Sequence, residues 1–138
     1  MALIFVARSA TLSDWASDVG LGKHVFKLGV ADEAAGESVA DLIAKGWAGQ
    51  TDWTLVKEQD GVDIAEEQAI ERAARKEKMV DPTYYPRIKG TRGIFKVNPT
   101  NLHNHILVAR VMAGEEERAP IKPKVGDFAA YLIHCALR

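Results

Sequence analysis

An α+β fold, with a small central sheet of three to four strands in mixed or antiparallel pairing and helices flanking it, follows from three features of the sequence. Four short runs rich in β-branched and aromatic residues are separated or followed by segments of helical periodicity. The first two runs lie close enough to pair antiparallel across an elaborated connection. The chain has 138 residues, 47% of them hydrophobic and 27% charged, which suits one domain with a real core and no need of disulfides.

The elements are expected in the order β, β, α, β, α, β, α, α. Residues 3–8 (LIFVAR) suit a buried strand. Residues 11–19, polar around Trp15 and followed by Gly20 and Gly22, read as a short helical turn or loop. Residues 24–30 form the second strand candidate. Ser38 with Asp41 three residues later resembles a capping pair, and Val39, Leu42, Ile43 and Trp47 recur at helical spacing around Gly46. Residues 52–58 alternate as a strand, with Asp60-Gly61 as the turn after it. Residues 64–78 carry the clearest helical pattern, with Ala65, Ala69, Ile70, Ala73 and Ala74 on one side. A strand is expected at 93–98 through Ile94, Phe95 and Val97, then a helix opened by Pro99 and closed by Gly114. Residues 1–114 make the domain, and 115–138 are a linker and a last helix packed on it.

The lone Cys135 excludes an internal disulfide, and its apolar neighbours make it a small buried hydrophobe. The apolar run at 2–7 is too short for a signal-peptide core or a bilayer span, so a cytoplasmic protein is expected. Two apparent motifs fail. Gly20-Leu21-Gly22-Lys23-His24 lacks the first glycine and the hydroxyl residue of a phosphate loop. His103 and His105 are two apart in one helix and face different ways, so they make no metal pair.

The net charge of −1 hides an asymmetry: residues 1–69 hold five basic and twelve acidic side chains, residues 70–138 thirteen and seven. The segment 72–96 concentrates the excess, with Arg72, Arg75, Lys76, Lys78, Arg87, Lys89, Arg92 and Lys96 against Glu77 and Asp81. Tyr84, Tyr85 and Phe95 are interleaved with these cations. Cations that neutralise phosphates, beside rings on which bases stack, are the ingredients of a nucleic-acid surface. A solvated basic face that balances the acidic half would carry the same charges.

Glu66 and Glu67 are a second signal. At about 100° per residue Glu66 falls within the alanine stripe and Glu67 at its edge. A carboxylate placed there needs a nearby Lys or Arg, a route to solvent past the small alanines, or a divalent ion such as Mg²⁺, which takes one or two carboxylates and keeps several waters.

The words LIFVARS, HVFKLGVAD, DWTLVKEQ, AEEQAIERAARKEK and GIFKVN, in that order, resemble the GIY-YIG nuclease superfamily in its divergent phage and plasmid branch, over roughly residues 2–98. The resemblance implies metal-dependent hydrolysis of a phosphodiester, with one Mg²⁺ or Mn²⁺ ion ligated by a helix glutamate and surrounded by two aromatic residues on the paired strands and an arginine of the first helix. Carried over, it puts Phe5 and Lys27 at the two tyrosine positions, Gly29 at the glycine, and Glu67, with Glu66 as the alternative, at the metal-binding glutamate. The family's helix arginine has no counterpart in 38–47, where Lys45 is the one cation. The implied partner is nucleic acid, DNA rather than RNA, contacted by Arg72, Arg75, Lys76, Arg87, Lys89, Arg92, Tyr84 and Tyr85. The alternative is an inactive relative that binds nucleic acid, or a protein partner as an inhibitory module of a mobile element.

Overall fold

The computed structural model describes residues 2–20, 24–32, 36, 38–47, 51–80, 93–114 and 124–137. Five strands and five helices follow in the order β1 (Ala2–Ser9), α1 (Ala10–Asp18), β2 (Val25–Asp32), α2 (Val39–Lys45), β3 (Trp53–Val62), α3 (Glu66–Ala74), β4 (Lys78–Met79), β5 (Ile94–Lys96), α4 (Pro99–Met112) and α5 (Val125–Ala136). The strands form one sheet in the order β3-β1-β2-β5-β4, antiparallel at every pairing. β1 and β2 pair from Ala2 opposite Asp32 to Ala7 opposite Lys27, which places Phe5 across from Gly29.

Alternation along the two central strands divides the core between the faces of the sheet. Ile4, Val6, Phe26, Leu28 and Val30 pack with Ala69, Ile70 and Ala73 of α3, Leu102 of α4 and Phe128, Leu132 and Ala136 of α5. Phe5, Ala7, Val25 and Ala31 pack with Leu12 and Ala16 of α1, with Trp53, and with the half-buried Val39, Leu42 and Ile43 of α2. Burial on both faces accounts for the apolar character of residues 3–7 and for a central β2 with seven of its eight residues buried.

The sheet has five strands where three to four were expected, and the addition comes from the end of the long helical pattern. The helix covers Glu66 to Ala74 rather than 64–78. Beyond it the chain turns so that Lys78 and Met79 pair with Lys96 and Phe95. The buried Glu77 secures that turn: its carboxylate accepts from the Asn98 backbone N–H at 2.6 Å, Asn101 Nδ2 at 2.8 Å and the Tyr131 hydroxyl at 2.9 Å. Three donors to one buried carboxylate outweigh the helix propensity of residues 75–78.

Residues 10–18, where a short helical turn or loop was expected over 11–19, form a full helix. Ser9 Oγ accepts from the Leu12 N–H at 3.2 Å and donates to Asp52, and Asp52 Oδ2 accepts from the Thr11 N–H at 2.9 Å. The cap is thus completed by a residue 43 positions away. Asp60-Gly61, expected to end the third strand, lies inside it. The register against β1 shifts between Ala2 and Ile4, Gly61 has φ +70°, and its N–H donates to Asp60 Oδ1 at 2.8 Å. A bulge of this kind uses the turn chemistry of Asp-Gly without ending the strand. The last helix is apolar on its inner side, with the free Cys135 buried in it. No described helix is long and apolar enough to cross a membrane.

Candidate functional site

Four residues singled out by the resemblance meet on the sheet. Phe5 lies across β2 against Gly29, where a Cβ would fall 2.5 Å from the Phe5 ring carbon Cζ, so the glycine is a requirement of the Phe5 position. Lys27 is 3% exposed. Its Nζ donates to the Leu28 carbonyl at 2.8 Å, lies 3.6 Å from Glu66 Oε1, and sits 5.5 Å from the centre of the Trp47 ring. Burial pushes the Lys27 pKa below its ordinary value of 10.5, and the Glu66 carboxylate opposes that shift. The carboxylate at Lys27 is Glu66; Glu67, placed first by the resemblance, is exposed on the first turn of α3. Half of the Glu66 side chain remains exposed, so the alanine stripe does not bury it, while its ion pair with Lys27 meets the expectation of a basic partner.

Trp47 is the member of this group that sequence reading placed elsewhere, on the helix at 38–47. The helix stops at Lys45, Gly46 takes φ +74°, and Trp47 turns back onto the sheet. It stacks on Phe5 at 5.8 Å, meets Trp53 edge-on at 5.3 Å, and accepts a hydrogen bond from Trp53 Nε1 on its carbonyl at 3.0 Å. The available signal was a large aromatic just after a glycine that ends a helix.

Gly93 joins this site to the basic segment. Its carbonyl accepts from the Leu28 N–H at 2.8 Å, its φ is +85°, and a Cβ there would lie 2.6 Å from the Leu28 carbonyl oxygen and 3.0 Å from Lys27 Nζ. At the other end of the segment the Val80 N–H donates to the Ile94 carbonyl at 2.8 Å. Tyr84, Tyr85, Arg87, Lys89 and Arg92 fall between these anchors and lie outside the described residues.

The donor set was tested against the divalent ion that the resemblance implies. Mg²⁺ and Mn²⁺ favour several oxygen donors. The described residues offer the Glu66 carboxylate beside a buried ammonium, and no group of three His, Cys, Asp or Glu converges among them. A cation on Glu66 would compete with Lys27, whose burial depends on that carboxylate. The Glu66 carboxylate is committed to Lys27, and no chemical step is assigned to the ion.

The remaining expected cations fall elsewhere. Arg72 is half-buried on α3. Arg75, which pairs with Glu71 at 3.6 Å, and Lys76 are exposed at the end of α3. There they line a cleft of about 410 Å³ together with Asn101, Asn104 and His105 of α4 and His134 of α5. His103, by contrast, is exposed and outside this lining. His105 and His134 stand 4.7 Å apart between ring centres, and His105 is 5.1 Å from Tyr131. Burial, followed by the hydrogen bond to Glu77, pushes the Tyr131 hydroxyl pKa up. Burial likewise raises that of the neighbouring Cys135 thiol, which keeps it protonated rather than a reactive thiolate.

The fold and these two places define an α+β protein with a five-stranded antiparallel sheet, a buried Lys27 on it paired with the half-exposed Glu66, and a cation-lined cleft among three helices. No protein-family model, curated protein or solved structure matches the chain.

Proposed function

We propose that this protein is a nucleic-acid-binding domain of GIY-YIG-like descent that holds its ligand without cutting it. The observation that carries this reading is the anchoring of the basic and aromatic segment. The stretch containing Tyr84, Tyr85, Arg87, Lys89 and Arg92 leaves the sheet at Val80 and returns at Gly93, directly beside Lys27. Phosphates would be met by the arginines and lysines, and bases by the two tyrosines.

Binding is favoured over hydrolysis because Phe5 and Lys27, at the two tyrosine positions of the resemblance, are held in other contacts. Phe5 has no hydroxyl and stacks on Trp47. Lys27 is held by Glu66 and the Leu28 carbonyl. An amine in that state is neither an exposed base nor an exposed phosphate ligand.

The test is a titration of labelled DNA and RNA oligonucleotides, single- and double-stranded, with the strands examined afterwards on a denaturing gel in the presence of Mg²⁺ or Mn²⁺. Saturable binding to intact strands, weakened by Arg87→Gln with Lys89→Gln, is the expected result. Metal-dependent cleavage abolished by Glu66→Ala or Glu67→Ala would return the nuclease reading. Absence of binding to every oligonucleotide would overturn the proposal and leave a protein partner as the better account.

A further inference from the structure

We infer that the outer face of α4 is the contact of a symmetric dimer, in which the α4 helices of two copies of this chain lie antiparallel about a two-fold axis at Val108. The contact uses none of residues 81–92, so it stands or falls apart from the nucleic-acid reading.

Three of the six large apolar side chains exposed among the described residues fall in the C-terminal half of α4: Val108 is 61% exposed, Val111 63% and Met112 83%. At about 100° per residue these three share one face, about 100° wide, with Asn101 and Asn104. Leu102, Ile106 and Ala109 lie on the opposite side. Leu102 is buried in the core, and all three line the groove against α5. The helix thus has two apolar sides, of which one packs within the chain. A helix apolar on both sides belongs in an interior, and α4 becomes interior only when something covers its outer face.

Charge selects a second copy as the cover. Arg110 is the one Asp, Glu, Lys or Arg within α4. It falls about 200° from Val108 and lines the groove on the α5 side, so covering the outer face desolvates no charge of α4. The ends of the face carry opposite signs. Toward its N-terminal end, the exposed Arg75 and Lys76 line one cleft with Asn101, Asn104 and Val108. Arg75 is also 3.6 Å from Glu71 one turn back, an exposed pair worth too little to withhold it from a partner. Toward the other end, past Met112, lies the negative pole of the helix dipole, where Gly114 takes φ +75° and the sequence continues as Glu115-Glu116-Glu117. An antiparallel copy sets the cationic end of each protomer against the negative end of the other, and symmetry makes that contact twice. A parallel copy would set cations against cations.

The area sets the strength. Side chains of this size at these exposures present of order 100 Å² each, so the three supply about 300 Å² per copy, the size of a functional patch on a monomer. A standard interface takes about 800 Å² from each partner. The polar shoulders at Asn101, Asn104, Arg75 and Lys76 must supply the rest, which makes the dimer a weak one that forms as concentration rises.

Sedimentation velocity of the full chain between about 1 µM and about 300 µM reads this association. The weight-average mass should climb from that of the 15.1 kDa monomer toward twice that value. Val108→Glu with Val111→Glu keeps helix propensity, brings like charges together at the axis, and should raise the dimer Kd at least about tenfold while leaving the thermal melting curve in place. If that variant unfolds, Arg75→Glu with Lys76→Glu at the exposed end of α3 should weaken the dimer in the same assay at low salt. Disulfide trapping reads the orientation, since the native Cys135 is buried. Val108→Cys should cross-link to itself, and Asn104→Cys should cross-link to Val111→Cys in a mixture but not to itself. A monomer at every concentration, an association that survives these substitutions, or self-linking of Asn104→Cys would overturn the inference. A monomeric wild type whose oligonucleotide binding is weakened by Val108→Glu with Val111→Glu would overturn it in favour of nucleic acid on this face.

Discussion

Two buried charges of opposite sign organise the two places described above, and they are neutralised differently. Lys27 is 3% exposed and uses one carboxylate, one carbonyl and the face of Trp47. Glu77 is also 3% exposed and takes three hydrogen-bond donors from α4 and α5. The first arrangement consumes the polar groups of its site, since Glu66 and Lys27 each answer the other. The second leaves its neighbours available: Arg75 and Lys76 stay exposed at the mouth of the cleft above it. A buried charge satisfied by the backbone and neutral donors leaves neighbouring cations exposed, whereas an ion pair occupies the cation it neutralises.

The largest effect should come from Glu77. Replacing it with Ala strands the Asn98 N–H, the Asn101 amide and the Tyr131 hydroxyl, two of them at helix joints, and should destabilise the protein by about 3–4 kcal/mol in urea unfolding. Tyr131→Phe removes one of the three donors and should cost about 1 kcal/mol. A Glu77→Ala variant as stable as the wild type would show that the hydrogen bonds merely accompany the packing of α4.

The sheet pair should respond less. Among the described residues, Glu66→Ala leaves the Lys27 ammonium buried beside a carbonyl and an aromatic ring. Because half of Glu66 is exposed, the loss should be about 1–2 kcal/mol rather than the larger cost of breaking a fully buried pair. Lys27→Met keeps the volume, removes the desolvated charge, and should change stability by less than about 1 kcal/mol.

The same residue gives a pH signature. A folded-state pKa below 10.5 means that the unfolded chain binds more protons just beneath that pH, so stability contributed by this group rises with pH from the folded pKa up to 10.5. The difference in unfolding free energy between wild type and Lys27→Met should therefore shift in favour of the wild type as pH rises through that window. A difference that stays constant would mean that Lys27 is not desolvated.

The smallest effect lies at the α1 cap. Hydrogen bonds from Ser9 and then Thr11 hold the Asp52 pKa down, to about 2. A depressed carboxylate contributes its stability above its ordinary value of 3.8 and loses it as pH falls toward about 2. A titration of the Asp52 side chain by NMR should show the low midpoint, and Ser9→Ala should move it upward while costing about 1 kcal/mol. A midpoint near 3.8 in the wild type would mean that the cap is not formed in solution.

Much of this was legible in local pattern. The β-branched and aromatic run in residues 3–8, the second strand candidate at 24–30, the Pro99 start of α4 and the burial of Cys135 all express short-range rules, and these elements lie where the pattern puts them. What the pattern could not give depends on contacts between distant residues. α1 needs Asp52 to complete its cap; β4 needs the pairing of Lys78 and Met79 with β5 and the three donors to Glu77. At the sheet site, the resemblance named Phe5, Lys27, Gly29 and the Glu66–Glu67 step, but the choice between the two glutamates depends on the phase of α3 over β2. Trp47 was hidden by its helical spacing, and His105 found its companion in His134 rather than His103 because they meet only when α4 packs on α5.

If the fold presents cations to a nucleic-acid backbone, as proposed, oligonucleotide binding depends steeply on salt. The logarithm of the association constant plotted against that of the salt concentration should fall with a slope of about −0.9 per neutralised phosphate for duplex DNA. It should become shallower by about two such contacts in Arg87→Gln with Lys89→Gln, with the strands intact throughout. Binding that is absent, or that is unaffected by salt, would contradict the account.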